Sequence, residues 1–272
     1  MSDSGAMGTM RAVHKHVTAL AFSDSNAAMA QLSRYTDDLK RLFREKEAAL
    51  QQIEQAHFNS LTLLSRAAEY RDDDTGVHMD RVGALSGLLA ELDGRNSEEV
   101  RLIRLAAPMH DIGKIAIPDN VLKKPGGFTI EERRIMNNHT YYGAEILGQS
   151  DIPLFNMAAA VALTHHECWD GSGYPRQLRG TEIPWCGRVV SIIDFFDALT
   201  MQRVYRPAFS DETTLQMLLA ERGKKFDPGL LDLFVSNLDR FIHLRDDINA
   251  AEREHAALLR SDATQLACDM GL

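Results

Sequence analysis

The sequence lacks the features that mark several protein classes. No apolar run reaches the roughly 20 residues that a membrane-spanning helix needs, and the N-terminus has no apolar signal-peptide core. Only three cysteines occur, Cys168, Cys186 and Cys268, at unrelated spacings. They cannot all pair, so a disulfide scaffold is excluded and a reducing, cytoplasmic setting is expected. The formal net charge is −9 and no basic stripe is present, which removes any general attraction for nucleic acid. The period-two alternation of a strand is nearly absent. From Asn26 to Tyr70 there is neither Pro nor Gly.

What is present is enough for one well-packed domain with an appendage: 272 residues, 44% hydrophobic and 25% charged. Residues 1–26 read as a tag remnant and linker, with Gly5-Ala6-Met7-Gly8 as an expression scar. Over 27–65, apolar side chains recur at Leu32, Tyr35, Leu39, Leu42, Ala49, Ile53 and Ala56, with Lys46 the one break. This three-four spacing predicts a long amphipathic helix, packed either on its own domain or against a second copy of the chain as a homodimer seam. Asp37, Lys40, Arg41 and Arg44 supply its charged face.

From there on the pattern is helix after helix. Helices are expected over Asp80–Leu92, from Asn96 or Ser97 to His110-Asp111, from Thr129 to about Leu147, and over Leu154–Leu163, Gly187–Leu199, Asp211–Arg222 and Pro228–Arg240. Gly- and Pro-containing loops separate them at Pro118–Phe128, Asp170–Pro184 and Tyr205–Ser210. The fold class is all-α. Residues 66–245 form the main domain and 246–272 a helical tail whose role the sequence leaves open.

Histidines and acids cluster at the ends of these elements. Asp74 and His78 stand four apart, on one face if the segment is helical. His110-Asp111 closes an apolar helix, His139 opens a polar stretch, and His165-His166-Glu167 follows the apolar run MAAAVALT. Asp194 interrupts VVSIIDFFDAL, where a carboxylate is costly to bury unless it is paired or ligates a metal. Each grouping alone fits an ordinary surface contact or a satisfied core group. Together they put imidazoles and carboxylates beside apolar core in one domain. Such a mixed set suits Fe, Mn, Zn or Ni, and it can activate water and clamp a phosphoryl oxygen.

The ordered motifs RDDDTGVHMDR, HDIGKIAIPDNVL, NHTYYGAEIL, HHECWDGSGYP and IIDFFDALT closely resemble the HD-GYP family of cyclic di-GMP phosphodiesterases, over roughly Leu61 to Phe241. The resemblance implies a helical bundle of HD type. It implies metal ligation by His78, His110, Asp111, His139, His165, His166 and Asp194, with Asp111 bridging two ions, Fe or Mn. A third ion is in doubt, because Asp74 is one methylene shorter than the family's glutamate. Lys114 and Tyr174 are implied at the substrate, as are Arg203 and Arg206, arginine being suited to guanine edges and phosphates. The implied reaction is hydrolysis of cyclic di-GMP to pGpG, and on to GMP if the linear dinucleotide is accepted. The rivals are another cyclic dinucleotide as substrate, or a weakly active sensor that docks protein partners through the Gly173-Tyr174-Pro175 loop.

Overall fold

The computed structural model describes residues 4–69, 77–148, 152–201 and 207–269. Asp74, Arg203 and Arg206 lie outside the described residues. The chain divides into two units, residues 1–59 and 60–272. Among the described residues the regular structure is helical throughout, as the sequence leads one to expect.

Helix α1, Ser4–Glu69, runs through the first unit and into the second. Within the first unit, Leu32, Tyr35, Leu39, Leu42 and Ile53, the side chains of the three-four stripe, are exposed.

In the second unit, Ser65 and Ala68 near the end of α1 are buried, and Arg66 donates to both carboxylate oxygens of Asp80 at 3.2 and 3.3 Å. There α2 (Val77–Leu92), α3 (Ser97–Ala106), α7 (Pro153–Thr164) and α8 (Trp185–Thr200) pack around a common core. Asn96 starts α3 through a capping box: its side chain accepts from Glu99 N at 2.9 Å while Glu99 accepts from Asn96 N at 3.3 Å. A short helix, α4 (Asp119–Leu122), lies inside the first expected loop, and α9 spans Asp211–Ala220. The core draws Val82, Leu85 and Leu89 from α2, Ile103 from α3, Val161 from α7 and Ile192, Ile193 and Phe196 from α8. A run of phenylalanines extends it, Phe196 to Phe234 at 5.2 Å between centroids and Phe234 to Phe241 at 4.3 Å. A smaller cluster of Ile117, Val121 and Leu122 is closed by Phe128, Ile135 and Met136.

Three expected helices are broken. The one expected to reach His110-Asp111 ends at Ala106 and passes into a 3-10 turn, Ala107–Met109, where Pro108 lacks the N–H that the helical ladder needs. The stretch from Thr129 to Leu147 forms α5 (Ile130–Asn137) and α6 (His139–Leu147), separated at Asn138. The His139 ring and the Thr140 hydroxyl bond to the Met136 and Asn137 carbonyls, competing with the helical ladder. The stretch from Pro228 ends α10 at Ser236, and α11 runs unbroken from Leu238 to Asp269. At the junction Asn237 leaves helical geometry with φ −122 and ψ 19, and its amide reaches back to Leu233 O at 2.9 Å. Asp227 caps α10 and Phe226 is core.

Phe234 joins the aromatic run to the main core. Truncation to Ala should therefore destabilise the protein by about 3–5 kcal/mol, read as a lower urea midpoint in circular dichroism. A loss under about 1 kcal/mol would mean that the neighbouring phenylalanines close the gap.

Candidate metal centre

The histidines sit where helices begin and end. His78 is in the first turn of α2, and His139 is the first residue of α6. His165 is the residue that closes α7, and His166 follows it. Pro108 tightens the end of α3 into a 3-10 turn, Ala107–Met109, that delivers His110 and Asp111. Gly113 then lets the chain pass α6 closely, since a Cβ there would lie 1.9 Å from His139 O.

The structure brings every described ligand residue of the sequence reading together. Ligand atoms of Asp111, His139, His165 and His166 lie within 4.8 Å of one another, as do those of His78, His110 and Asp194. Asp111 stands between the groups. Its Oδ1 is 3.2 Å from His139 Nε2 and 3.7 Å from His165 Nε2, and its Oδ2 is 3.3 Å from His110 Nε2. Asp194 Oδ1 is 3.6 Å from His78 Nε2 and 3.7 Å from His110 Nε2. Lys114 Nζ lies 2.9 Å from Asp111 Oδ2.

The ring tautomers follow from the opposite nitrogens. His110 Nδ1 faces Ala107 O at 3.0 Å, His139 Nδ1 faces Met136 O at 2.7 Å, and His165 Nδ1 faces Val161 O and Ala162 O, each at 3.1 Å. A carbonyl can only accept, so Nδ1 carries the proton and Nε2 presents its lone pair. His139 Nε2 therefore meets Asp111 Oδ1 as acceptor against acceptor. Those two atoms and His165 Nε2 are buried without a hydrogen bond of acceptable geometry. Facing lone pairs in a buried site are relieved by a shared proton or a shared cation, and nitrogen and carboxylate donors of this kind could hold a divalent transition metal.

The electrostatics of Asp111, Asp194 and His166 point the same way. At His78, by contrast, burial would lower the imidazole pKa, but the Asp197 carboxylate outweighs burial and raises it. Burial would raise the pKa of Asp111, but Lys114 and His110 outweigh it and hold the carboxyl well below its usual range. Burial opposes ionisation of Asp194 too, and His110 and His78 keep it ionised. Burial, with His165 and His139 beside it, drives His166 well below the usual imidazole range, so it stays neutral. Neutral imidazoles and ionised carboxylates are the forms that bind metal.

One group beside the centre was missed in the sequence, and the role of another. Asp194, expected as the costly buried carboxylate, keeps 23% of its side-chain surface, whereas Asp197 one turn on keeps 1%. Asp197 Oδ2 is 2.7 Å from His78 Nδ1, and Arg81 grips Asp197 from Nε and Nη2 at 2.5 and 2.8 Å. Burial would raise the Asp197 pKa, but the hydrogen bonds from Arg81 and His78 bring it down to about 2. The usable signal was a second Asp in the apolar helix IIDFFDAL together with an Arg three residues after His78.

Glu167 was seen but given no task. It is buried, and its carboxylate accepts from Arg176 N at 2.7 Å and Leu178 N at 3.0 Å. These bonds fold the loop over so that the Tyr174 ring stacks on His166, with centroids 4.8 Å apart. Burial and the nearby Asp111 push the Tyr174 phenol above its usual pKa, keeping it neutral. Gly171 turns the loop with φ +81, whereas Gly173 is needed for close approach, as its Cβ would fall 2.2 Å from Cys168 N. Burial raises the Cys168 thiol as well, which keeps it protonated.

The sequence profile of the family described as HD domain matches residues 46–230. The chain belongs to the HD-domain family. Its motifs are those of the HD-GYP branch. The chain is similar to 3′3′-cGAMP-specific phosphodiesterase 2 of Vibrio cholerae, 44% identical over 182 residues that make up 67% of this chain and 35% of the relative. It is likewise similar to the cyclic di-GMP phosphodiesterase response regulator RpfG of Xanthomonas campestris pv. campestris, at 41% identity over 75% of this chain and 55% of the relative. It thus spans between a third and just over half of these relatives. A crystal structure of a V. cholerae cyclic GMP-AMP phosphodiesterase shares the fold, with a TM-score of 0.50 at 18% identity, covering 69% of this chain and 52% of that one. Among the described residues of this HD-GYP chain, no helix is long and apolar enough to cross a membrane.

Since the Glu167 carboxylate holds two backbone N–H groups, Glu167→Ala should loosen the Tyr174 loop. A charged hydrogen bond is worth about 1.5–3 kcal/mol, so faster tryptic cleavage after Arg176 or Arg179 and a lower melting temperature are expected. Unchanged cleavage and melting would show that other contacts hold the loop.

Proposed function

We propose that this chain hydrolyses the phosphodiester bonds of cyclic di-GMP with the help of bound metal ions. The products are linear pGpG, and GMP where the linear dinucleotide is also a substrate. The observation that carries the reading is Asp111 set between two groups of imidazoles whose proton positions are fixed by their other ring nitrogens. Bound ions would supply a water of lowered pKa and a clamp on a phosphoryl oxygen.

The ion count is taken as two, Fe or Mn. His139, His165 and His166 serve one, His78, His110 and Asp194 the other, and Asp111 serves both. A third ion at Asp74 is taken as weak, absent or held through water. Lys114, already at the edge of the centre, is assigned to a non-bridging phosphate oxygen in the transition state. The neutral Tyr174 hydroxyl and the cations Arg203 and Arg206 are assigned to the nucleotide. These charges answer how a chain of net charge −9 holds a dianion.

The relatives are named for two substrates that share guanine, cyclic di-GMP and 3′3′-cGAMP. Cyclic di-GMP is our choice because the motif resemblance carries it. Pure sensing is disfavoured, because a sensor needs no water-activating ligand set. The remaining assignments are a cytoplasmic location, homodimerisation through the stripe of α1, and protein docking at the loop of Gly173. We divide the chain into a linker over 1–26, a dimerising helix over 27–65, a catalytic domain over 66–245 and a helical tail over 246–272.

The deciding experiment is metal analysis of protein purified without oxygen, beside product chromatography from cyclic di-GMP and from 3′3′-cGAMP. Asp111→Ala should lose metal and abolish turnover while keeping the helical circular dichroism; full turnover in that variant would sink the mechanism. Cleavage of 3′3′-cGAMP with cyclic di-GMP untouched would replace the substrate.

Arg203→Ala or Arg206→Ala should weaken cyclic di-GMP binding about ten- to a hundredfold, the worth of one charged hydrogen bond, at unchanged metal content. Parent affinity in both variants would remove these residues from the site.

A further inference from the structure

We propose that Asn249, on the C-terminal helix α11, is a positioning residue for the metal centre, acting on His78 through Arg81 and Asp197. Asn249 lies past residue 245, in the segment whose role the sequence leaves open. Its Oδ1 accepts from Arg81 Nη1 at 3.1 Å. Arg81 in turn holds Asp197 by Nε and Nη2, and Asp197 faces His78 Nδ1 at 2.7 Å.

The physical case rests on what a buried guanidinium demands. Arg81 and Asp197 are 2% and 1% exposed, so every unmet polar group there is penalised. The fork to Asp197 uses Nε and Nη2. Nη1 points the other way, and the acceptor it meets is the Asn249 side chain. Guanidinium nitrogens only donate, so Asn249 must present its oxygen to Arg81. Its amide nitrogen then faces the Met201 sulfur at 3.7 Å, a weak acceptor. Both neighbours select the same amide orientation, which leaves the side chain one way to sit.

Without that acceptor, Arg81 would have to turn to satisfy Nη1, and the fork to Asp197 would turn with it. Asp197 is the group that sets the plane of the His78 ring. Neither end of α11 lies near the ligands in sequence, yet this contact makes the helix part of the site. The inference concerns only the ligand field of His78 and does not depend on which phosphodiester is cleaved.

The test is titration of metal-stripped protein with Mn2+ alone, followed calorimetrically, in the parent and in Asn249→Leu, Asn249→Asp, Asp197→Asn and the Asn249→Leu/Asp197→Asn double variant. Partners behind a metal ligand typically set affinity by about ten- to a hundredfold. Asn249→Leu should weaken one Mn2+ site about tenfold, leave the other unchanged and keep the helical signal. Asn249→Asp keeps an acceptor for Nη1 and should stay within about twofold of the parent. The Leu effect should vanish once Asp197 is already changed, because the relay is cut at that point. Parent affinity in Asn249→Leu, equal losses in Leu and Asp, or an undiminished Leu effect in the double variant would each overturn the proposal. Should Asn249→Leu fail to fold, the Asp variant decides: a tenfold loss there overturns it and parent affinity supports it. These readouts use no nucleotide, so a failed substrate assignment would leave them standing.

Discussion

The opposition of Asp111 Oδ1 and His139 Nε2, two acceptors 3.2 Å apart in a buried site, is the contact on which the rest of the centre depends. Left alone it is repulsive, and the surrounding carboxylate and imidazoles add more lone pairs to the same small volume. The arrangement becomes favourable when a cation is shared among the donors. A cation bound there would link folding to metal binding: the helices must close to bring the donors together, and the ion would stabilise that closure. The large apolar core around Ile103, Val161, Ile193 and Phe196 supplies the rigidity that holds mutually repelling groups in place.

Helix ends do the orienting. The last four carbonyls of an α-helix have no partner within it, and these are the atoms that receive the Nδ1 protons. His165 uses Val161 O and Ala162 O, in the last turn of α7, and His139 uses Met136 O, near the end of α5. His110 uses Ala107 O, in the 3-10 turn that closes α3. Val161 O, Ala107 O and Met136 O each accept a backbone N–H as well, so the imidazoles use the second lone pair of these carbonyls, and that contact fixes each tautomer.

Much of this was legible in the sequence because the signals were local. The all-α class followed from helical spacing and the absence of alternation. The start of α3 at Asn96 or Ser97 and the start of α10 at Pro228 could be read from neighbouring residues. The grouped imidazoles and carboxylates drew notice because His-Asp and His-His pairs beside apolar runs are chemically unusual. What stayed hidden was long-range pairing. Arg81 and the second Asp of IIDFFDAL each stand out in the sequence, but nothing local says that they pair, and nothing near Glu167 announces the amides of Arg176 and Leu178. The Asn138 break was hidden for another reason, because a side chain competing for one carbonyl barely disturbs the apolar pattern.

His78 shows why the centre needs a buried ion pair at one corner only. It lies in the first turn of α2, and a helix N-terminus offers unpaired N–H groups, not carbonyls. His139 also begins a helix and takes its acceptor, Met136 O, from the end of the preceding one, whereas the Nδ1 of His78 faces a side chain. A side chain must supply the acceptor, and Asp197 of α8 does so. A carboxylate buried to 1% is itself untenable without a counter-charge, which accounts for Arg81, three residues along the same helix as His78. Arg81 in its turn leaves one nitrogen to satisfy, and α11 provides the oxygen. The chain from His78 through Asp197 and Arg81 thus draws α8 and α11 toward a cluster in which His110, His139 and His165 face backbone carbonyls and His166 stacks on Tyr174.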